Sequence, residues 1–151
     1  MERKKVYLIP CSGIGKPIGT VSRNTVYEAI GKRPDDSDTM CLALLTSGDS
    51  DAIEKIKNNY CITLDGCARQ CSRKNIEALG KTTDKSYMIL KFAAGNPDKK
   101  PAGLIDIGEG GRALSEIISD VIIKDIDELV KNDNKESNNE KIKIKSELQT
   151  I

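Results

Sequence analysis

The chain has 151 residues with a net charge of +1, and 38% of them are hydrophobic, 31% charged and 3% aromatic. This length suits one domain that folds without disulfide bonds. The near-neutral charge and the scarce aromatic residues argue against nucleic acid as a partner, and no apolar run reaches membrane-spanning length. The apolar part of the N-terminus is also too short for a secretory signal, so we expect a cytoplasmic protein that binds no membrane.

Short apolar runs alternate with helical patterns along the first half of the chain. A strand is predicted at 6–9, before a Pro-Cys-Ser-Gly turn, and a helix at 17–31, where apolar residues recur at helical spacing. The apolar run at 40–45 is interpreted as a second strand, which ends either early or at the end of the run. Polar capping residues then predict a short helix within 47–58.

The second half continues the same alternation. Strands are predicted at 60–64 and 87–92, with a helix between them at 68–79 that a glycine closes. A glycine-rich loop, 103–111, leads into a last helix whose apolar stripe extends from 114 to 130. The many β-branched residues of this stripe also allow part of it to pair as a strand.

The alternation of strands and helices predicts the fold class. We expect an α/β, three-layer Rossmann-like fold, with a mainly parallel sheet of about four strands and flanking helices. Residues 1–131 would form this single domain, and the polar residues 132–151 a mobile C-terminal tail. Alternating Lys and Ile at 141–145 allow an edge strand as an alternative. The apolar last helix could also be the face of a homodimer.

Three of the five cysteines stand where such a sheet would gather them. Cys11 and Cys67 each follow the end of a predicted strand, and parallel strands bring their carboxyl ends to one edge. Cys71 lies four residues after Cys67, so both would share one side of the first turn of the predicted helix. In a cytosolic protein such a cluster indicates metal, iron–sulfur or redox chemistry rather than disulfides.

The other two cysteines differ in their expected position. Cys61 begins a predicted strand, about 20 Å from its far end, and is interpreted as a small core residue. Cys41 joins the common edge only if its strand ends early, and periodicity leaves both possibilities open.

Two polar residues lie beside the cysteines. Asp65 precedes the predicted helix, where capping is favoured over metal ligation. Ser12 would shape the loop after the first strand and support a thiolate by a hydrogen bond. The glycine-rich stretch that follows Ser12 fits neither the phosphate-binding loop nor the dinucleotide fingerprint, so nucleotide binding is not favoured.

The segments that carry these residues are IPCSG, CLALL and LDGCARQCSRK. Together, over roughly residues 5–92, they resemble the DGC-domain family of proposed zinc-binding proteins, which is named for its Asp-Gly-Cys step. The resemblance implies that Cys11, Cys41, Cys67 and Cys71 are metal ligands, and therefore that Cys41 reaches the common edge.

Three functions are consistent with these cysteines. The first is zinc binding through four thiolates, because the chain has no histidine to offer. The second is an iron–sulfur cluster carrier or electron-transfer accessory protein that uses the same residues. The third is a thiol redox protein in which Cys67 attacks and Cys71 or Cys11 resolves. No enzyme activity is assigned, and any protein partner is left open.

Overall fold

The computed structural model of the chain describes residues 3–11 and 13–148, without the side chains of residue 137 and residues 140–148. Its sheet has four strands in the order β2-β1-β3-β4, and every neighbouring pair is parallel. The strands are β1 (Val6–Pro10), β2 (Ser37–Thr39), β3 (Tyr60–Asp65) and β4 (Lys85–Met88). This arrangement confirms the predicted α/β class with a mainly parallel sheet.

Helices cover both faces of the sheet, which gives three layers. They are α1 (Pro17–Lys32), α2 (Leu42–Thr46), α3 (Ser50–Asn58), α4 (Cys71–Ala78), α5 (Ile89–Gly95) and α6 (Gly108–Leu148). Helices α1, α5 and α6 pack on one face, and α2, α3 and α4 on the other. Each face of the sheet is therefore buried, as expected for an all-parallel sheet.

The two hydrophobic cores follow from side-chain alternation along β1 and β3. Leu8 and Ile62 point to the first face, where they meet residues of α1 and α6 such as Val21 and Ile118. On the opposite face, Ile9 joins a smaller cluster with α3 and α4. Each fully buried Leu or Ile contributes roughly 1.5–3 kcal/mol to the free energy of unfolding, so these cores hold the strand ends in place.

The strand order creates a crevice between β1 and β3. The chain leaves β1 through α1 for β2 on one side, and returns through α2 and α3 to β3 on the other side. Helix α1, which follows β1, and helix α4, which follows β3, lie on opposite faces, so the chain diverges at the carboxyl ends of these two neighbouring strands. Such a switch point is where open α/β sheets bind their ligands.

The predicted strand at 40–45 is wrong. The second strand is instead β2, and the apolar run forms α2. Strand β2 is the edge strand next to β1, so its short sequence Ser-Asp-Thr can be polar. In the apolar run, Leu42 and Leu45 are both buried, and their three-residue spacing places them on one side of a helical turn.

Two further boundaries differ from the prediction. The helix predicted from residue 68 begins at Cys71, because Asp65 accepts hydrogen bonds from the backbone N–H groups of Ser72 and Arg73. The strand predicted at 87–92 ends at Met88, and α5 begins directly after it.

The last helix extends over most of the predicted tail. The backbone of α6 is helical from Gly108 to Leu148, so neither strand alternative is adopted, in the apolar stripe or at 141–145. The division of the chain after residue 131 stays a prediction. None of the described helices is both long and apolar enough to cross a membrane.

Candidate thiolate site

The crevice between β1 and β3 brings Cys11 next to the Asp-Gly-Cys segment. Pro10 pairs with Leu64 at the end of the ladder, and the next residue, Cys11, donates its N–H to the Leu64 carbonyl at 2.9 Å. The Gly66 N–H then donates to Cys11 Sγ at 3.2 Å. The loops that follow β1 and β3 are thus joined by both backbone and sulfur contacts.

A cavity of about 310 Å³ opens at this point. Three cysteines line it, Cys11, Cys67 and Cys71, together with Asp65. Their exposure increases outward, because Cys11 is buried, Cys67 half-buried and Cys71 exposed. Three of the four predicted ligands therefore share one cavity at the carboxyl edge of the sheet.

The Cys11 thiol sits in an environment with opposing effects on its charge. Burial raises the pKa of Cys11, and the negative charge of Asp65 raises it further. The hydrogen bond from the Gly66 N–H acts in the opposite direction, because it stabilises the thiolate. The same N–H would stabilise the sulfur as a thiolate after a bound metal ion has displaced its proton.

Asp65 caps α4. Its two carboxylate oxygens accept hydrogen bonds from Ser72 N at 2.8 Å and from Arg73 N at 3.1 Å. Burial raises the pKa of Asp65, while these two hydrogen bonds oppose that rise. The side chain therefore fixes the start of the helix that carries Cys71. Ser12, the other predicted supporting residue, lies outside the described residues.

Glycines allow the loops around the cavity to touch. Gly13 has a φ of 39°, and a Cβ on Gly19 would lie 2.3 Å from the Gly13 carbonyl oxygen. A Cβ on Gly66 would lie 3.2 Å from Gly19 N. The loop after β1, the start of α1 and the loop after β3 thus meet backbone to backbone, which leaves no room for side chains between them.

The prediction that Cys67 and Cys71 share one helical turn is wrong. Cys67 lies in the loop before α4, where its carbonyl accepts a hydrogen bond from Gln70 N at 3.1 Å. Gln70 itself has a φ of 52°, the left-handed conformation that glycine favours, and separates this turn from the helix. Both thiols line the cavity, but from different elements.

The remaining cysteines occupy separate positions. Cys41 lies two residues after β2, as the N-cap of α2, so its strand ends early and places it at the carboxyl edge. It is exposed and is not among the residues that line the cavity. Cys61 is fully buried, and burial raises its pKa to about 12, which fits its predicted role in the core.

The cysteine sulfur atoms are donors that suit a soft metal, although they are not placed around one common point. Across residues 3–11 and 13–148, no group of three or more Cys, Asp or Glu side chains is placed so that it could hold a metal ion. The thiols of the cavity are nevertheless the donor type that zinc and iron–sulfur clusters take, and none of the cysteines is in a disulfide.

Comparison with known proteins identifies the family of the chain. The DGC domain matches residues 7–107, which extend from β1 to the residue before α6. The chain belongs to the DGC-domain family. The resemblance deduced from the cysteine motifs is thereby confirmed. No curated protein and no solved structure matches the chain.

Within the DGC domain, one feature of the cavity escaped the sequence reasoning. Lys16 lines the same cavity as the three cysteines, as does Arg69 from the loop after β3. The signal in the sequence was its place between the Pro-Cys-Ser-Gly turn and Pro17, which begins α1. Any residue at that point lies at the carboxyl edge of the sheet.

Proposed function

We propose that this DGC-domain protein binds zinc through Cys11, Cys41, Cys67 and Cys71. The observation that carries the proposal is the cavity at the switch point of the sheet, which three of these cysteines line. Thiolates are preferred zinc ligands, and a chain without histidine has few other nitrogen or sulfur donors to offer.

The four sulfurs would have distinct tasks. Cys11 is the fixed ligand, because its sulfur is buried and accepts the Gly66 N–H. The exposed thiols of Cys41 and Cys71 would turn towards it when the metal binds. Asp65 would keep Cys71 at the first residue of α4 by holding the two N–H groups that follow it.

The number of sulfurs that bind decides what the metal does. Four thiolates close the coordination of zinc and make the site structural. Three thiolates from the cavity, without Cys41, would leave one position for an exogenous ligand, where bound zinc would act as a Lewis acid. The outer position of Cys41 makes it the ligand on which this choice depends.

Metal analysis tests the proposal directly. Protein purified with and without oxygen should contain one zinc per chain and remain colourless. The double variant Cys67→Ser, Cys71→Ser should lose the zinc while its circular dichroism spectrum is unchanged. Cys61→Ala is the matched control, because this thiol lies in the core and its removal should leave zinc binding intact.

Other outcomes would replace zinc by one of the alternatives. Brown protein that contains iron and acid-labile sulfide only without oxygen would identify an iron–sulfur protein. Metal-free protein with one fast-reacting cysteine would indicate thiol redox chemistry. Equal zinc content in the wild type and the double variant would remove the site from the cavity altogether.

A further inference from the structure

Two cationic residues are among those that line the thiol cavity, and they come from different loops. Lys16 follows the loop after β1, and Arg69 lies in the loop after β3. Both are exposed, and neither forms an ion pair with any residue that the structure describes. They differ in this respect from Arg73 on α4, whose guanidinium pairs with Glu77 at 2.8 Å.

The one carboxylate of the cavity does not neutralise these charges. Both oxygens of Asp65 are directed to the backbone N–H groups of Ser72 and Arg73. Asp65 is also 1% exposed, whereas Lys16 and Arg69 lie at the surface. The mouth of the cavity is therefore positively charged, while its only acidic group is turned into the protein.

The start of α1 adds to the positive potential. Lys16 is its N-cap residue, no side chain caps the helix there, and its first turn contains no acidic residue. The positive end of the helix dipole is thus uncompensated beside the same cavity. Ile14, which also lines the cavity, is 82% exposed and offers apolar contact at the mouth.

We propose that the cavity binds a small organic anion, whose carboxylate or phosphate group lies between Lys16 and Arg69 and whose remainder faces the thiols. A cavity of about 310 Å³ suits a ligand of this size. This inference rests on the proposed function for its biological sense, because the anion would be the exogenous ligand of the metal–thiolate site in the form with three cysteine ligands, which leaves one position open.

Charge-matched alkylation tests this selectivity without any metal. Iodoacetate and iodoacetamide both alkylate thiolates, but only iodoacetate is an anion. In chelator-treated protein, mass spectrometry of each cysteine gives the ratio of the two rates. Cys41 is the internal control, because it is exposed and lies outside the cavity. We expect the iodoacetate preference at Cys67 and Cys71 to exceed that at Cys41 roughly three- to tenfold at low salt.

Two variants assign the effect to the cations. Lys16→Gln and Arg69→Gln should each lower the preference at Cys67 and Cys71 towards the value at Cys41, and 0.5 M salt should do the same in the wild type. Millimolar propionate or inorganic phosphate should slow alkylation of the cavity thiols. The more protective of the two identifies a carboxylate or a phosphate as the group that binds.

Three results would overturn the inference. They are a rate ratio at the cavity thiols equal to that at Cys41, a raised ratio that neither variant changes, and no protection by either anion. Both variants keep every cysteine, so a separate zinc titration shows whether the metal site is intact. If the wild-type protein binds no zinc, the proposed function is rejected. The alkylation ratio still shows whether the cavity selects anions.

Discussion

The two edges of the sheet each hold a cavity, and the cavities differ in chemistry more than in size. The amino edge has the larger one, about 580 Å³, lined by four basic and three acidic side chains. Two of these basic side chains have carboxylate partners, Arg3 with Asp36 and Lys4 with Asp133. The carboxyl edge has about 310 Å³, with three thiols and two cations that lack such partners among the described residues.

This difference shows why volume is a poor guide to function in this molecule. At the amino edge, Arg3 and Lys4 are each paired with a carboxylate, and the pair of Arg3 with Asp36 lies near the surface, where such pairs contribute about 1 kcal/mol or less to stability. At the carboxyl edge, burial, close backbone contacts and a left-handed residue are concentrated around sulfur. Conformational strain and reactive groups in one place are typical of functional sites.

The strongest expected effect concerns the backbone contact beside the thiols. Gly19→Ala places a methyl group 2.3 Å from the Gly13 carbonyl oxygen, so the two segments must separate. We expect the free energy of unfolding to fall by roughly 3 kcal/mol, and the loop that carries Cys11 to shift. Urea denaturation measures the first effect and the alkylation rate of Cys11 the second.

Gly15→Ala is the matched control for this change. A Cβ at Gly15 meets nothing within 4 Å, and its backbone is not left-handed, so stability should change by less than about 0.5 kcal/mol. Equal stability of the two variants would show that the contact between Gly13 and Gly19 does not hold the carboxyl edge together.

The second expected effect concerns the cap of α4. Asp65→Ala leaves the N–H groups of Ser72 and Arg73 without their acceptor, in a buried position. We expect a loss of about 2 kcal/mol in urea denaturation and a weaker affinity for zinc, because Cys71 loses its fixed position.

Asp49→Ala provides the comparison for a cap away from the site. The Asp49 side chain accepts one hydrogen bond, from Ala52 N at 2.8 Å, and the residue is exposed. Its replacement should cost about 1 kcal/mol and leave zinc affinity unchanged. If both variants reduced zinc affinity alike, the role of Asp65 would be general stability rather than the position of Cys71.

The smallest expected effect separates the thiol of the core from those of the edge. Burial raises the pKa of Cys61 from 9.0 to about 12, so the unfolded chain releases this proton at a lower pH than the folded one. The contribution of Cys61 to the free energy of unfolding should therefore be constant below pH 9 and fall by roughly 1 kcal/mol by pH 10. Urea denaturation over this pH range measures the slope.

Cys61→Ala should reduce that slope between pH 9 and 10 to the smaller part that Cys11 contributes, because burial raises the pKa of the Cys11 thiol as well. Above pH 10 a decline should remain in the variant, because the pKa of Tyr60 is also raised, to about 12, mainly by burial. An unchanged slope in the variant would mean that Cys61 does not stay neutral in the folded protein.

The sequence predicts the sheet well where strands are apolar and poorly where they are polar. The runs of β1 and β3 are recognisable, since both faces of these central strands are buried. Strand β2 escapes, because an edge strand of three residues needs no apolar pattern. The neighbouring apolar run takes its helical form from packing against the second face, which periodicity over six residues cannot reveal.

The sequence predicts which edge of the sheet carries the site, but not how the individual groups are placed there. Parallel topology alone gathers Cys11 and Cys67, because it depends only on where strands end. The left-handed turn at Gln70 and the double cap by Asp65 separate Cys67 from the helix of Cys71. The sequence predicts the capping role of Asp65, but the left-handed conformation falls on a glutamine rather than a glycine and has no marker in the local sequence.

The buried carboxylate near the end of the domain has a practical consequence for truncation. Asp133 on α6 is 7% exposed and accepts hydrogen bonds from the Lys4 N–H and the Tyr60 hydroxyl. A chain shortened at residue 131, where the composition changes, would lose this acceptor. The Lys4 N–H, just before β1, and the Tyr60 hydroxyl, at the start of β3, would then have no partner in Asp133. A shortened chain that keeps Asp133 retains the hydrogen bonds between α6 and the starts of β1 and β3, so the minimal folding unit should end after this residue.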